Sequence, residues 1–133
     1  MIHEASAVLK LVKDNEAQPQ ALVRAAQCRH GSFIYFPHDF YLGGAMERYG
    51  EYAEEESALI MQFVKEGGVV VEAGANMGCH TVAIARKVGN AGRVFAFEPQ
   101  RIIYQMLCGN LSINGLWNVI AERAALGDKQ TVL

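Results

Sequence analysis

Apolar positions change rhythm twice along this 133-residue chain, and each change predicts a different kind of element. From residue 3 to residue 28 the spacing is helical. Val8, Leu11 and Val12 share one face, as do Leu22, Val23 and Ala26, and Pro19 divides the run into two predicted helices. Between His30 and Leu42 the rhythm becomes strand-like. Phe33, Tyr35 and Phe36 predict one strand, Pro37-His38-Asp39 a turn and Phe40-Tyr41-Leu42 a returning strand, a hairpin that Gly43-Gly44 ends. Residues 54 to 65 predict an amphipathic helix with Leu59, Ile60, Phe63 and Val64 inward. Glu54, Glu55 and Glu56 stand in its first turn, where the helix dipole favours acids.

From Val69 onward the pattern is regular. Val69-Val70-Val71 predicts a buried strand, reaching Glu72 or Ala73. A helix over about 78–88 follows, then a strand over 93–97, a helix over about 100–113 with Ile103, Leu107 and Leu111 four apart, and a strand near 119–122. Strand, helix, strand, helix, strand predicts parallel strands joined by right-handed crossovers, an α/β Rossmann-like sheet. The chain closes on Thr131-Val132-Leu133, where another strand-like run opens, so the sheet reads as truncated after its third strand. This divides the chain into residues 1–66, helices and hairpin preceding the core, and residues 67–133, a partial Rossmann-like domain.

Composition narrows the classes. With 51% hydrophobic and 20% charged residues the chain forms a core. A net charge of -2 shows no basic excess, so nucleic acid and anionic membrane surfaces are not expected as partners, and no apolar run reaches membrane-spanning length. Cys28, Cys79 and Cys108 form no CxxC pair, which predicts reduced thiols in a cytoplasmic protein and no metal site.

The candidate chemistry lies in Glu72-Ala73-Gly74-Ala75-Asn76-Met77-Gly78-Cys79-His80-Thr81, where a strand runs through a small-residue turn into a helix N-terminus. A dinucleotide site wants G-x-G-x-x-G, but counting from Gly74 the second and third positions are Asn76 and Cys79. The loop suits S-adenosyl-L-methionine better. That cofactor carries no phosphate, and its ribose hydroxyls are best held by a carboxylate accepting both hydrogen bonds. Glu98, in Phe97-Glu98-Pro99 at the end of the second parallel strand, is placed for that role in either cofactor class. Pro99 ends the strand and turns the chain.

Residues 31 to 128 resemble the FkbM family of S-adenosylmethionine-dependent methyltransferases. The resemblance rests on Tyr49-Gly50-Glu51-Tyr52 before a Glu-rich helix, Val71 to Gly78 with His80-Thr81, Phe97-Glu98-Pro99, Asn110-Leu111 with Asn114-Gly115-Leu116 and Asn118-Val119, and Ala125-Leu126-Gly127-Asp128. It implies a class I methyltransferase fold and methyl transfer to a small-molecule or glycan acceptor, a sugar or natural-product hydroxyl. It places Glu72, Gly74, Ala75, Asn76 and Gly78 around the methionine moiety, with Thr81 beside them, Glu98 and Pro99 at the ribose, and the backbone near Ala124-Ala125 against the adenine. It assigns no catalytic residue.

Other readings stay open. Glu72 and Glu98 also fit as solvated strand-end acids, Thr81 and His80 as helix-opening residues, His38 and Asp39 as turn residues, and Cys79 as a buried inert thiol. Tyr49 and Tyr52 fit either a closing wall over the cofactor or core packing. A nicotinamide-dependent oxidoreductase and a non-catalytic nucleoside-binding or assembly module remain as alternatives, and a homo-oligomer is compatible with the open sheet.

Overall fold

The computed structural model describes residues 22–129, and the helix expected before Pro19 lies outside them. A hairpin comes first, β1 (Arg24–Cys28) and β2 (Gly31–Tyr35), antiparallel with Cys28 opposite Gly31 and Arg24 opposite Tyr35. Two helices follow, α1 (Leu42–Tyr49) and α2 (Glu54–Phe63). The remainder is β3 (Val69–Ala73), α3 (Cys79–Val88), β4 (Arg93–Phe97), α4 (Arg101–Ile113) and β5 (Val119–Glu122). Strands β3, β4 and β5 form a parallel sheet in that spatial order, with Val69 beside Arg93 and Val94 beside Val119. This is the parallel α/β Rossmann-like sheet expected from the periodicity.

Two expectations for the first third of the chain need correction. Residues 24–28, expected to be helical, form β1, because Ala25 and Ala26 pair with Ile34 and Phe33 across the hairpin. The apolar matches at Leu22, Val23 and Ala26 were a short coincidence of helical spacing. Phe40-Tyr41-Leu42 does not return as a strand. The Asp39 carboxylate accepts the N–H groups of Leu42 (2.7 Å) and Gly43 (3.1 Å) and starts α1 there, leaving Phe40 and Tyr41 exposed as an edge-to-face pair. Asp39 is thus a capping residue. Gly43 is required for close approach, since an ideal Cβ would lie 1.7 Å from the Phe36 carbonyl oxygen.

α2 spans the expected residues but packs a different stripe. Ser57 and Val64 are buried, and Ile60 and Met61 pack beside Ile84 and Val88 of α3, while Leu59 and Phe63 are exposed. Positions 57, 60, 61 and 64 form one helical face. The stripe begins on a serine, so hydrophobicity alone rotates the helix by about one residue.

Helices α3 and α4 cover one face of the parallel sheet. Val70, Val94, Ala96, Val119 and Ala121 pack against Ile84, Ala85, Val88, Leu107 and Leu111. On the other face Val69 and Val71 are 69% and 62% exposed. The run of valines is therefore a strand buried on one side, and not the fully buried strand expected, because among the described residues no element covers its second face. No described helix is long and apolar enough to cross a membrane.

Candidate functional site

The loop joining β3 to α3 alternates its backbone sign. Gly74, Asn76 and Gly78 have φ of 75°, 51° and 92°, all left-handed. Glycine reaches that region without strain, and asparagine is among the few side chains that visit it. Gly78 has a second reason to be glycine: a Cβ there would stand 2.8 Å from Leu107 Cδ1. At Gly74 the same construction meets nothing within 4 Å, so the loop is open on that side.

Hydrogen bonds fix this shape from the neighbouring strand. Gly74 and Ala75 both donate their N–H groups to the Phe97 carbonyl, at 2.8 and 2.9 Å. Asn76 donates its N–H to Glu98 Oε2 at 3.0 Å, and Glu98 Oε1 accepts the N–H of Gln100 at 2.8 Å. Met77 donates to Asn76 Oδ1 (2.7 Å), and Gly78 to the Ala75 carbonyl (3.0 Å). The loop's own N–H groups are thus spent internally. α3 begins at Cys79 after the N-cap Gly78, and no side chain caps its first-turn N–H groups.

The two acids differ. Glu98 is 4% exposed and ties the loop to the start of α4. Each of its oxygens uses one acceptor direction on a backbone N–H and keeps another. Glu72 sits under the loop, where Thr81 Oγ1 donates to its Oε2 at 2.6 Å. Burial raises its carboxyl above the ordinary range, against the lowering effect of that hydroxyl. Neither acid is a solvated strand end. Thr81, fully buried, is the partner of Glu72.

Other singled-out residues separate on geometry. Cys79 is buried, and desolvation, followed by Cys28 and Glu72, pushes its thiol up to about 12, so it is inert at neutral pH. Cys28, Cys79 and Cys108 are free thiols. His80 turns away from the loop: its Nδ1 hydrogen-bonds Ser57 Oγ at 2.9 Å, and the Tyr52 ring packs beside it. Tyr52 therefore packs, while Tyr49 is exposed. Pro99 and Ala125 are exposed at the ends of β4 and β5, on the same edge of the sheet as the loop.

Polar residues quoted only as part of a motif turn out to be structural. Asn118 Nδ2 donates to the carbonyls of Ala85 (2.7 Å) and Gly89 (2.9 Å), closing the C-terminus of α3. Asn110 and Asn114 hold the hairpin, as described below. Their one-turn spacing was visible in the sequence, but their partners lie some 76 to 82 residues away.

The TRM5/TYW2 methyltransferase domain model matches residues 43–133, more than half of the chain. The chain belongs to the TRM5/TYW2 methyltransferase domain family. A curated relative, the tRNA (adenine(58)-N(1))-methyltransferase catalytic subunit TRM61 of Cryptococcus neoformans, is 34% identical over 74 residues, 52% of this chain and 17% of the relative. Among solved structures, M. jannaschii TYW2 in complex with AdoMet superposes with a TM-score of 0.57 at 25% identity, covering 77% of this chain and 43% of that one. The aTrm5–tRNALeu complex shares the fold with a TM-score of 0.61 at 19% identity, covering 80% and 29%. The chain thus spans less than half the length of each of these proteins.

Family membership corrects two expectations. The methyltransferase reading and its S-adenosylmethionine cofactor stand, but within TRM5/TYW2 and not FkbM. The exclusion of nucleic acid as a partner does not stand. It rested on overall charge, whereas the chain belongs to the TRM5/TYW2 methyltransferase domain family and its curated relative is named for tRNA. Net charge averages over the whole surface and says nothing about a local binding face.

Proposed function

We propose that this chain supplies the S-adenosylmethionine site of a methyltransferase that acts on RNA, with tRNA the first substrate to test. The single observation that carries the donor site is the loop Gly74–Gly78, held in its left-handed alternation by Phe97 and Glu98. The donor set suits this cofactor. Two carboxylates, Glu72 and Glu98, flank the loop and are groups that can accept from an ammonium and a pair of hydroxyls, and no basic side chain stands in the loop to receive a phosphate.

Bound S-adenosylmethionine supplies an electrophilic methyl group on a sulfonium. In this reading Glu98 accepts from the ribose hydroxyls, with Pro99 beside it. Gly74, Ala75, Asn76 and Gly78 let the backbone approach the methionine moiety. The uncapped start of α3 favours its carboxylate, and Glu72, braced by Thr81, favours its ammonium. The exposed loop after β5, with Ala125, lies along the adenine. Arg101 at the start of α4 and Arg123 after β5 are exposed near the same edge and offer cations to RNA phosphates.

The acceptor assignment rests on the family and on the tRNA named for its relatives. The finer expectation of a sugar or natural-product hydroxyl came with the FkbM resemblance and has no support from TRM5/TYW2 membership. Calorimetry with S-adenosylmethionine tests the donor site, and Glu98→Ala is expected to weaken binding at least roughly tenfold, on the scale of a lost charge-assisted hydrogen-bond pair. Unchanged affinity removes Glu98 from the site. Saturable NADH binding without S-adenosylmethionine binding returns the oxidoreductase reading. Filter binding of bulk tRNA, with affinity falling as salt rises, tests the acceptor class.

A further inference from the structure

Strand β2 has one edge paired with β1. The alternation of an antiparallel ladder turns the N–H and C=O groups of Ser32 and Ile34 to its other edge. Among the described residues no strand lies there. Two side-chain amides from α4 take its place. Asn110 Oδ1 accepts the N–H of Ile34 at 2.7 Å, and its Nδ2 donates to the Ile34 carbonyl at 3.0 Å. Asn114, which caps the helix, repeats the pattern: Oδ1 accepts from Ser32 N–H at 3.1 Å and Nδ2 donates to the Ser32 carbonyl at 2.7 Å. The match is one of repeats. Four residues of helix rise about 6 Å and two residues of strand about 6.7 Å, so amides one turn apart meet alternate residues of a strand.

The two amides differ in their remaining bonds. Asn114 donates back to the Asn110 carbonyl (2.7 Å) and accepts from Arg86 (3.0 Å). Asn110 donates its second N–H to the Met77 carbonyl at 2.8 Å, inside the cofactor loop. It is fully buried, so no water substitutes for these partners. The Met77–Gly78 peptide lies between the left-handed Asn76 and Gly78 and leads into α3. Its carbonyl direction is therefore set by the same amide that reads the position of β2.

Resting on the reading of Gly74–Gly78 as the S-adenosylmethionine loop, we infer that Asn110 is a positioning residue that couples hairpin docking to cofactor binding. A hairpin seated on α4 holds the Asn110 amide in place, and the amide holds the Met77–Gly78 peptide. By reciprocity, cofactor that orders the loop also tightens the hairpin.

Asn114 provides the internal control, because it makes the same strand contacts without touching the loop. The test compares S-adenosylmethionine affinity of the full chain, Asn110→Ala and Asn114→Ala by calorimetry, below the melting temperature of each. Asn110→Ala is expected to lose roughly fivefold or more, the lower end of ordinary coupling between sites, and Asn114→Ala less than about twofold. A second measurement uses the unaltered chain and so does not depend on a variant folding: saturating S-adenosylmethionine should slow amide hydrogen exchange at Ile34 more than at Ser32. Equal losses in the two variants, or exchange at Ile34 that ignores the cofactor, overturn the coupling while leaving the cofactor site intact. Absence of S-adenosylmethionine binding by the unaltered chain overturns the site reading and the coupling together.

Discussion

The hairpin β1–β2 and the parallel sheet β3–β4–β5 both lean on α4, and they are held there by different forces. Toward the sheet α4 presents Leu107 and Leu111, which pack on Ala75, Ala96, Val119 and Ala121. Toward β2 it presents Asn110 and Asn114, which replace a missing strand, with Met106 and Phe33 as apolar company. Burial of apolar area is non-directional and tolerates small shifts, whereas a pair of amide hydrogen bonds fixes register to a fraction of an ångström. The contrast teaches that one helix can supply a core to one partner and an address to another.

The comparison breaks most readily at the loop where the two halves meet. Gly78→Val forces a β-branched residue into a φ of 92° and against Leu107. It is expected to cost about 3 kcal/mol or more in stability, summing backbone strain and overpacking, and to abolish S-adenosylmethionine binding. Urea denaturation with calorimetry reads both, and a variant of unchanged stability refutes the close approach.

A smaller effect asks whether amides also matter on the sheet side. Asn118→Ala removes two side-chain hydrogen bonds at the end of α3, while the Ala85 and Gly89 carbonyls keep the N–H groups of Gly89 and Gly92. A loss of about 1–3 kcal/mol is expected, the net contribution of two intramolecular hydrogen bonds. A loss below about 0.5 kcal/mol would mean that apolar packing alone holds this half, which would sharpen the contrast with the hairpin.

The third prediction concerns pH. Burial raises the Glu72 carboxyl above its ordinary value, so between the two values the folded chain binds a proton that the unfolded chain has released. The stability that Glu72 contributes is present below its ordinary value and is lost as pH rises through the raised, folded one. Glu72→Gln should flatten that segment of the stability–pH curve measured across the carboxylate range, and an identical slope in both proteins would remove Glu72 as its source.

The smallest effect is expected at the hairpin's solvent side. Arg24 and Glu47 form an ion pair with side chains 56% and 32% exposed, so Arg24→Ala should change stability by less than about 0.5 kcal/mol. A larger loss by urea denaturation would show that surface charge, as well as the two asparagines, fixes the hairpin.

Legibility followed the same divide. Strands β3, β4 and β5 and helices α3 and α4 were readable to within about a residue, since each carries its own apolar period and ends on Gly89, Pro99 or Gly115. The hairpin was displaced because its partners are remote: nothing near Arg24 announces Tyr35, and nothing near Ile34 announces Asn110. The α2 face was misread because its buried stripe opens with Ser57, whose hydroxyl is matched to His80 only in three dimensions. At the candidate site, the loop and both acids could be named in advance. The burial of Glu98 between two backbone N–H groups and the commitment of Glu72 to Thr81 could not.

What the sequence determined by itself was the parallel α/β order and the position of a small-residue loop between strand and helix. Both follow from local rules of periodicity, β-branching and glycine conformation, which act within a few residues. Tertiary structure alone decided which face of each strand is covered, which acid is tied to which neighbour, and that two asparagines stand in for a strand. Those outcomes depend on hydrogen-bond partners and packing brought together from distant parts of the chain, and no local pattern encodes a direction in space.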